Sequence, residues 1–128
     1  MRVEAHEQAF DVHWRAIFTW ALEVEGLANA QRIVGLHASR AAVELLSIVL
    51  HKRRLIDEGF QVNHRWFKSG RVAERLPEFP QKSAILAKMV ALEIACEALA
   101  YGTQKPVERT EEAIALLREI ERMLRGLL

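Results

Sequence analysis

At 128 residues the chain has the length of one domain, enough to bury roughly two-thirds of its unfolded surface in a single core. Apolar residues make up 51%, which excludes a disordered chain, and the net charge of +1 excludes a general polycation. A single cysteine, Cys96, allows no intrachain disulfide and points to a reducing compartment.

The opening residues MRVEAHEQAF carry acids and no hydrophobic signal core. No uninterrupted apolar run reaches the roughly 18 residues of a membrane span. The expectation is a cytoplasmic protein without a membrane partner. Only three prolines and six glycines punctuate the chain, which favours a few long elements.

Phe10, Trp14, Ile17, Ala21 and Val24 recur at three- and four-residue steps, a helical stripe that Gly26 interrupts. Phe18 and Leu22 widen this stripe and Trp20 lies off it, so the first helix is apolar over more than a core face. Such surplus apolar girth marks either a helix–helix dimer interface or deeper burial. Leu27, Ala30, Val34, Ala41, Leu45 and Ile48 predict a second helix from about Leu27 to Ile56, stopping at Asp57-Glu58-Gly59.

Asn63 is a plausible N-cap for a short third helix reaching about Leu76, where Pro77-Glu78-Phe79-Pro80 ends it. Ile85, Met89, Leu92, Cys96 and Leu99 form a fourth stripe that ends at Tyr101-Gly102. Pro106 opens a last helix with Val107, Thr110, Ile114, Leu117 and Leu124 inward. Short links between long amphipathic helices imply antiparallel neighbours. The predicted fold is therefore all-α: one domain over 1–128, an up-and-down antiparallel bundle of four long helices and one short one.

Residues 51–75 hold seven Lys/Arg against three Asp/Glu, a local charge of +4. On a third helix, His64, Lys68, Arg71 and Arg75 would fall within roughly 60° of one another. Arg53 and Arg54 lie just upstream, at the end of the second helix. Two readings stand. The patch is an electrostatic footprint for phosphates, or it is a solvated face whose upstream cations complement a helix dipole.

Other candidates are weaker on geometry. His6 and His13 are seven residues apart, about 10.5 Å along a helix, too far to share one ion. No metal or cofactor is expected. Arg32 and His37 would point about 140° apart on a continuous helix. Arg40 and Glu44 read as a surface pair. Glu93 and Glu97 need a basic partner from another helix, or they form paired carboxylates in a groove. RIVGLHASRAAVELL (32–46) has a faint helix-turn-helix look with Gly35 at the turn, but the apolar register runs through Gly35 without a phase break.

The order of these pieces resembles the HEPN superfamily (higher eukaryotes and prokaryotes nucleotide-binding domain), in particular its small stand-alone prokaryotic members. The resemblance rests on EGLANAQRIVGLHASRAAVELLSIVLHKR, EGFQVNHRWFKSG, the Leu-Pro step, ALEIACEALAYG and VERTEEAIALLREIERML, and spans about residues 5–126. It implies a nucleotide- or nucleic-acid-associated module, a homodimer and a minimal nucleotidyltransferase as partner, in a toxin–antitoxin-like pairing. Ribonuclease members carry Arg, four to six residues, then His near the start of a late helix. This chain has no such pair there, and nothing after His64 is histidine.

The expectation is thus a HEPN-like accessory module without catalytic residues, with RNA or a nucleotide as ligand. His64, Lys68, Arg71, Arg75, Arg53 and Arg54 would make the phosphate contacts, and Phe18, Trp20 and Leu22 the dimer interface. The alternatives are a divergent ribonuclease using His37 or His64, and a protein-interaction module without nucleotide affinity.

Overall fold

The computed structural model describes residues Met1–Leu128. Four long helices form an all-α bundle without strands. They are α1 (Val3–Arg15), which runs on as π-helical turns over Ala16–Glu25, α2 (Gln31–Lys52), α3 (Lys82–Ala100) and α4 (Val107–Arg125). Contacts give their directions. His6 meets Glu44 and His13 meets His37, so α1 and α2 are antiparallel. Gln31 meets Leu99, and Arg118 and Arg125 lie over Phe18 and Phe10 respectively, so α3 runs against α2 and α4 against α1.

α2 is the central helix, packed on the other three, with 14 of its residues buried. One 18-residue window of it averages a hydropathy of 1.6, long and apolar enough to cross a membrane, although Arg40 and Glu44 fall within the helix. In this fold 72% of that window is buried among the neighbouring helices, as a core helix requires.

The register of α1 differs from the predicted stripe. Phe10, Ile17 and Ala21 are buried, but the wider i→i+5 turns after Arg15 carry Val24 out to 60% exposure. Phe10, Trp14 and Phe18 stack in sequence, with ring centroids 5.3 and 4.2 Å apart. Arg125 and Arg118 of α4 cover the two ends of this ladder. Gly26, at φ 88°, then turns the chain into α2.

α2 ends at Lys52, four residues before the predicted end. Arg54 sits in the left-handed region at φ 58°. Its N–H donates to His51 O, and Leu55 N–H to Leu50 O, at 2.9 Å each, which closes a Schellman cap. At the other end α2 passes through Gly35 unbroken. That removes the helix-turn-helix reading.

Gly35 instead marks the crossing with α3. A Cβ there would lie 2.8 Å from the Leu99 carbonyl carbon and closer still to the Ala100 nitrogen. The short third helix is two 3₁₀ turns, His64–Lys68 and Gly70–Arg75, separated by extended Ser69. Asn63 does cap the first, its side chain accepting from Arg65 N at 2.8 Å. Phe67, Val72 and Leu76 anchor the segment in the core. Lys82, itself buried, holds its far end through the carbonyls of Ala73 (2.9 Å) and Leu76 (2.8 Å). The predicted apolar positions of α3 are all buried, Met89 and Cys96 among them.

Candidate functional site

The first 3₁₀ turn lies against α3 and leaves a polar groove bounded by α1, α2 and the 61–66 segment. Its volume is about 460 Å³, and His13, Arg40, Glu44, Asn63, His64 and Arg65 reach it. A separate, smaller cavity of about 170 Å³ lies toward α3 and shares Arg40, His64 and Arg65 with the groove. Gly35, Ser39, Lys68, Glu93, Glu97 and Tyr101 also line that second hollow.

Glu93 anchors the arrangement. Its side chain is only 6% exposed, and its Oε1 lies 3.0 Å from His64 Nδ1. A carboxylate can only accept, so Nδ1 carries the proton and, in the neutral ring, Nε2 is left as an acceptor. The other oxygen, Glu93 Oε2, is enclosed and has no donor. One turn on, Glu97 pairs with Lys68 at 3.5 Å, with both side chains about half exposed. The two glutamates therefore each meet a basic partner from the 3₁₀ turn and not each other.

Arg40 was expected to pair with Glu44. It does not: Glu44 turns to buried His6, 2.6 Å away, while Arg40 bonds the Leu36 carbonyl and has no carboxylate within reach. The antiparallel α1 supplies the better partner, because His6 is inside the bundle and its imidazole needs an acceptor. Arg65 likewise has no side-chain partner. Two arginines thus line the hollows without a carboxylate partner.

His13 and His37 meet through their Nδ1 atoms at 2.9 Å, so one donates and the other accepts. Burial, followed by the neighbouring His37 and Arg40, lowers the His13 pKa to about 4. Burial and Arg40 also lower His37. Arg32 points elsewhere, to the carbonyls of Ala100 (2.8 Å) and Gly102 (2.5 Å), so Arg32 and His37 diverge. His6 and His13 pair with different α2 residues.

Of the six residues expected to contact phosphate, His64 and Lys68 share the smaller cavity, and Arg71 and Arg75 share a separate hollow of about 390 Å³ with Arg65. The break at Ser69 destroys the single face on which the other two were placed. Arg71 pairs with Glu74 at 3.5 Å, and Arg75 stacks over Trp66, 5.0 Å from the ring centre. Arg53 donates to Leu127 O at the far end of α2, and Arg54 forms the Schellman cap beside it. Among the expected interface residues, Phe18 lies under Arg118 and Leu22 is half-buried, while Trp20 is 53% exposed.

Arg65 belongs to no sequence pattern singled out above, and Arg40 lacks the Glu44 partner that its spacing predicts. The only signal available was the lack of an acid placed to answer Arg65. Similarity to known proteins adds nothing further. No protein-family model, curated protein or solved structure matches this chain.

Proposed function

We propose that this chain is a HEPN-like accessory module that holds a phosphate-bearing nucleotide, free or within a nucleic acid, in the groove above α2. One observation carries this reading: Arg40 and Arg65 converge on the groove with no carboxylate partner. Guanidinium forks suit phosphate oxygens, and His64 and Asn63 add polar contacts on the same wall. A second copy of the chain and a minimal nucleotidyltransferase are the protein partners of this reading. Exposed Trp20 supports a contact through the end of the first helix. A reducing, cytoplasmic setting fits the lone buried Cys96.

The test is binding of labelled RNA, single-stranded DNA and nucleotides by fluorescence anisotropy and calorimetry. Arg40→Gln and Arg65→Gln should each weaken binding at least tenfold. Arg71→Ala and Arg75→Ala should leave it unchanged. Loss of binding in the second pair with none in the first would overturn the assignment of the groove.

A second reading rests on His64. Its tautomer is fixed by Glu93, and Arg40 and Arg65 share its hollows, so a proton carrier and a charge stabiliser converge. That is the minimum for a divergent ribonuclease. RNA fragments on a gel, lost in His64→Ala, would establish it. Intact RNA after incubation with the wild-type chain would end it.

A further inference from the structure

We infer that the face formed by α3 and the second 3₁₀ turn docks a protein partner through a helical segment that combines apolar and acidic side chains. This surface is separate from the phosphate groove above α2. Two hollows make it up, and they share Val72 and Glu74 of the 3₁₀ turn.

The larger, of about 610 Å³, is walled by Val72, Ala73, Leu86, Ala87 and Val90. Its charged members are answered within the protein. Glu78 accepts from Lys82 at 2.9 Å, and the same ammonium donates to the carbonyls of Ala73 and Leu76, which uses all three of its protons. Glu74 pairs with Arg71.

The apolar wall extends past this hollow. Ala84, Ala87, Ala91, Ile94 and Ala98 recur at three- and four-residue steps along α3, and all are exposed, Ile94 at 56%. Between Lys82 and Glu97 the helix carries only two charges. Glu93 turns inward to His64, and Lys88 lies toward Glu119 of α4. α3 packs on α2, α4 and the 3₁₀ turns, and these leave the stripe open. A helix that is apolar on its outer as well as its inner side is one that a neighbour covers.

Charge complementarity selects that neighbour. The second hollow, of about 390 Å³, gathers Arg65, Arg71 and Arg75 around Trp66, with Glu74 its only acid. Across both hollows four cations stand against two acids, a net charge of +2 in a chain whose total is +1. Glu74 approaches Arg71 at Nε, 3.5 Å away, which leaves the terminal amino groups for another carboxylate. Arg75 lays one face of its guanidinium on Trp66 and keeps its N–H edges for an acceptor.

A nucleic-acid strand could use the arginines but has no aliphatic side chains for the apolar hollow. An acidic amphipathic helix uses both at once. Ser83 to Val90, along one side of the larger hollow, rises about 10.5 Å, the span of apolar side chains at i, i+3 or i+4, and i+7 of a docked helix.

A phage-displayed library of random peptides of about 15 residues, long enough to form a helix, tests this. It is selected on the wild-type chain and counter-selected on Ala87→Glu, whose exposed position should leave the circular dichroism of the fold unchanged. Enriched peptides should carry apolar residues at helical spacing together with Asp or Glu. In fluorescence anisotropy a synthetic copy should bind Ala87→Glu, and the double variant Arg71→Glu/Arg75→Glu, about tenfold more weakly than wild type.

Should Ala87→Glu fail to fold, Ala91→Glu, exposed one turn along, takes its place. No enrichment, enrichment of basic or uncharged peptides, or undiminished binding to the charge-reversed variant overturns the inference. Two other occupants have their own signatures. A concentration-dependent dimer in sedimentation that Ala87→Glu converts to monomer puts a second copy on this face. Oligouridylate binding that is lost in Arg71→Glu/Arg75→Glu puts RNA there. Either result overturns the acidic partner.

Discussion

Gly35→Ala sets two effects of opposite sign against each other, and the structure says which prevails. In an ordinary helix interior, alanine is favoured over glycine by about 1 kcal/mol. At residue 35 the new Cβ would stand 2.8 Å from the Leu99 carbonyl carbon and 2.9 Å from Ala100 Cα. Carbon atoms pack best at about 3.5–4.0 Å, and these are backbone atoms that no rotamer change can move. α2 and α3 must therefore part at their crossing.

Overpacking of this kind costs about 1–3 kcal/mol. Parting the helices also stretches the Arg32 bonds to Ala100 and Gly102 and the Gln31 bond to Leu99. We expect net destabilisation of about 1–2 kcal/mol, which for a domain of this size lowers Tm by roughly 3–8 °C. Urea denaturation and thermal melts followed by circular dichroism read this directly. A variant more stable than wild type would mean that propensity prevails and that α2 and α3 do not touch at residue 35. Gly35→Val, with more bulk at the same contact, should be worse than alanine.

Three further outcomes follow from single contacts. Lys82→Met removes the donor to the carbonyls of Ala73 and Leu76 and should cost about 2–3 kcal/mol, with loss of hydrogen-exchange protection concentrated in residues 70–79. Arg54→Gly relieves a left-handed backbone and should stabilise by about 0.5–1 kcal/mol in urea titration; destabilisation would show that the arginine side chain matters more than its φ. The histidine pair makes stability depend on pH. His13, lowered to about 4, and His37, also lowered, stay neutral in the folded chain where the unfolded chain protonates near 6.5. The unfolded state then binds more protons, so stability is full above pH 6.5 and falls as pH drops toward 4. Tm measured from pH 7.5 to 5 should decline, and His13→Gln should flatten the decline; identical slopes in both proteins would exclude the pair as its source.

The bundle was legible because its long helices carry their burial pattern in every turn. Ile85, Met89, Leu92, Cys96 and Leu99 all point inward where three-four spacing puts them. The site was less legible, because it depends on which helix faces which. Arg40 and Glu44 have ideal spacing for a pair, yet His6 takes Glu44 from across the α1–α2 contact, and no local pattern announces that. Periodicity also presumes one helical pitch. The stretch around Ser69 satisfies an α-helical stripe on paper, but three successive anchors, Phe67, Val72 and Leu76, pull it into two tight turns and divide its cations between separate hollows. Val24 fails for the reciprocal reason, a pitch widened by π turns.

That division bears on the size of the ligand. Five lysine and arginine side chains acting together would release several counterions from a single strand, with a slope of log affinity against log salt of about −3.5. The structure leaves Lys68 paired with Glu97, Arg71 with Glu74 and Arg75 on Trp66, and it puts Arg53 and Arg54 at the far end of α2. Arg40 and Arg65 remain, enough for one or two phosphates and a slope of about −1. The acids Glu44, Glu93 and Glu97 stand close beside them and would repel a strand laid along the whole groove. A strand drawn across this surface would gain little from its length. Affinity must come from the few groups that reach into the hollows, so a ligand is held by one phosphate and whatever that phosphate carries inward.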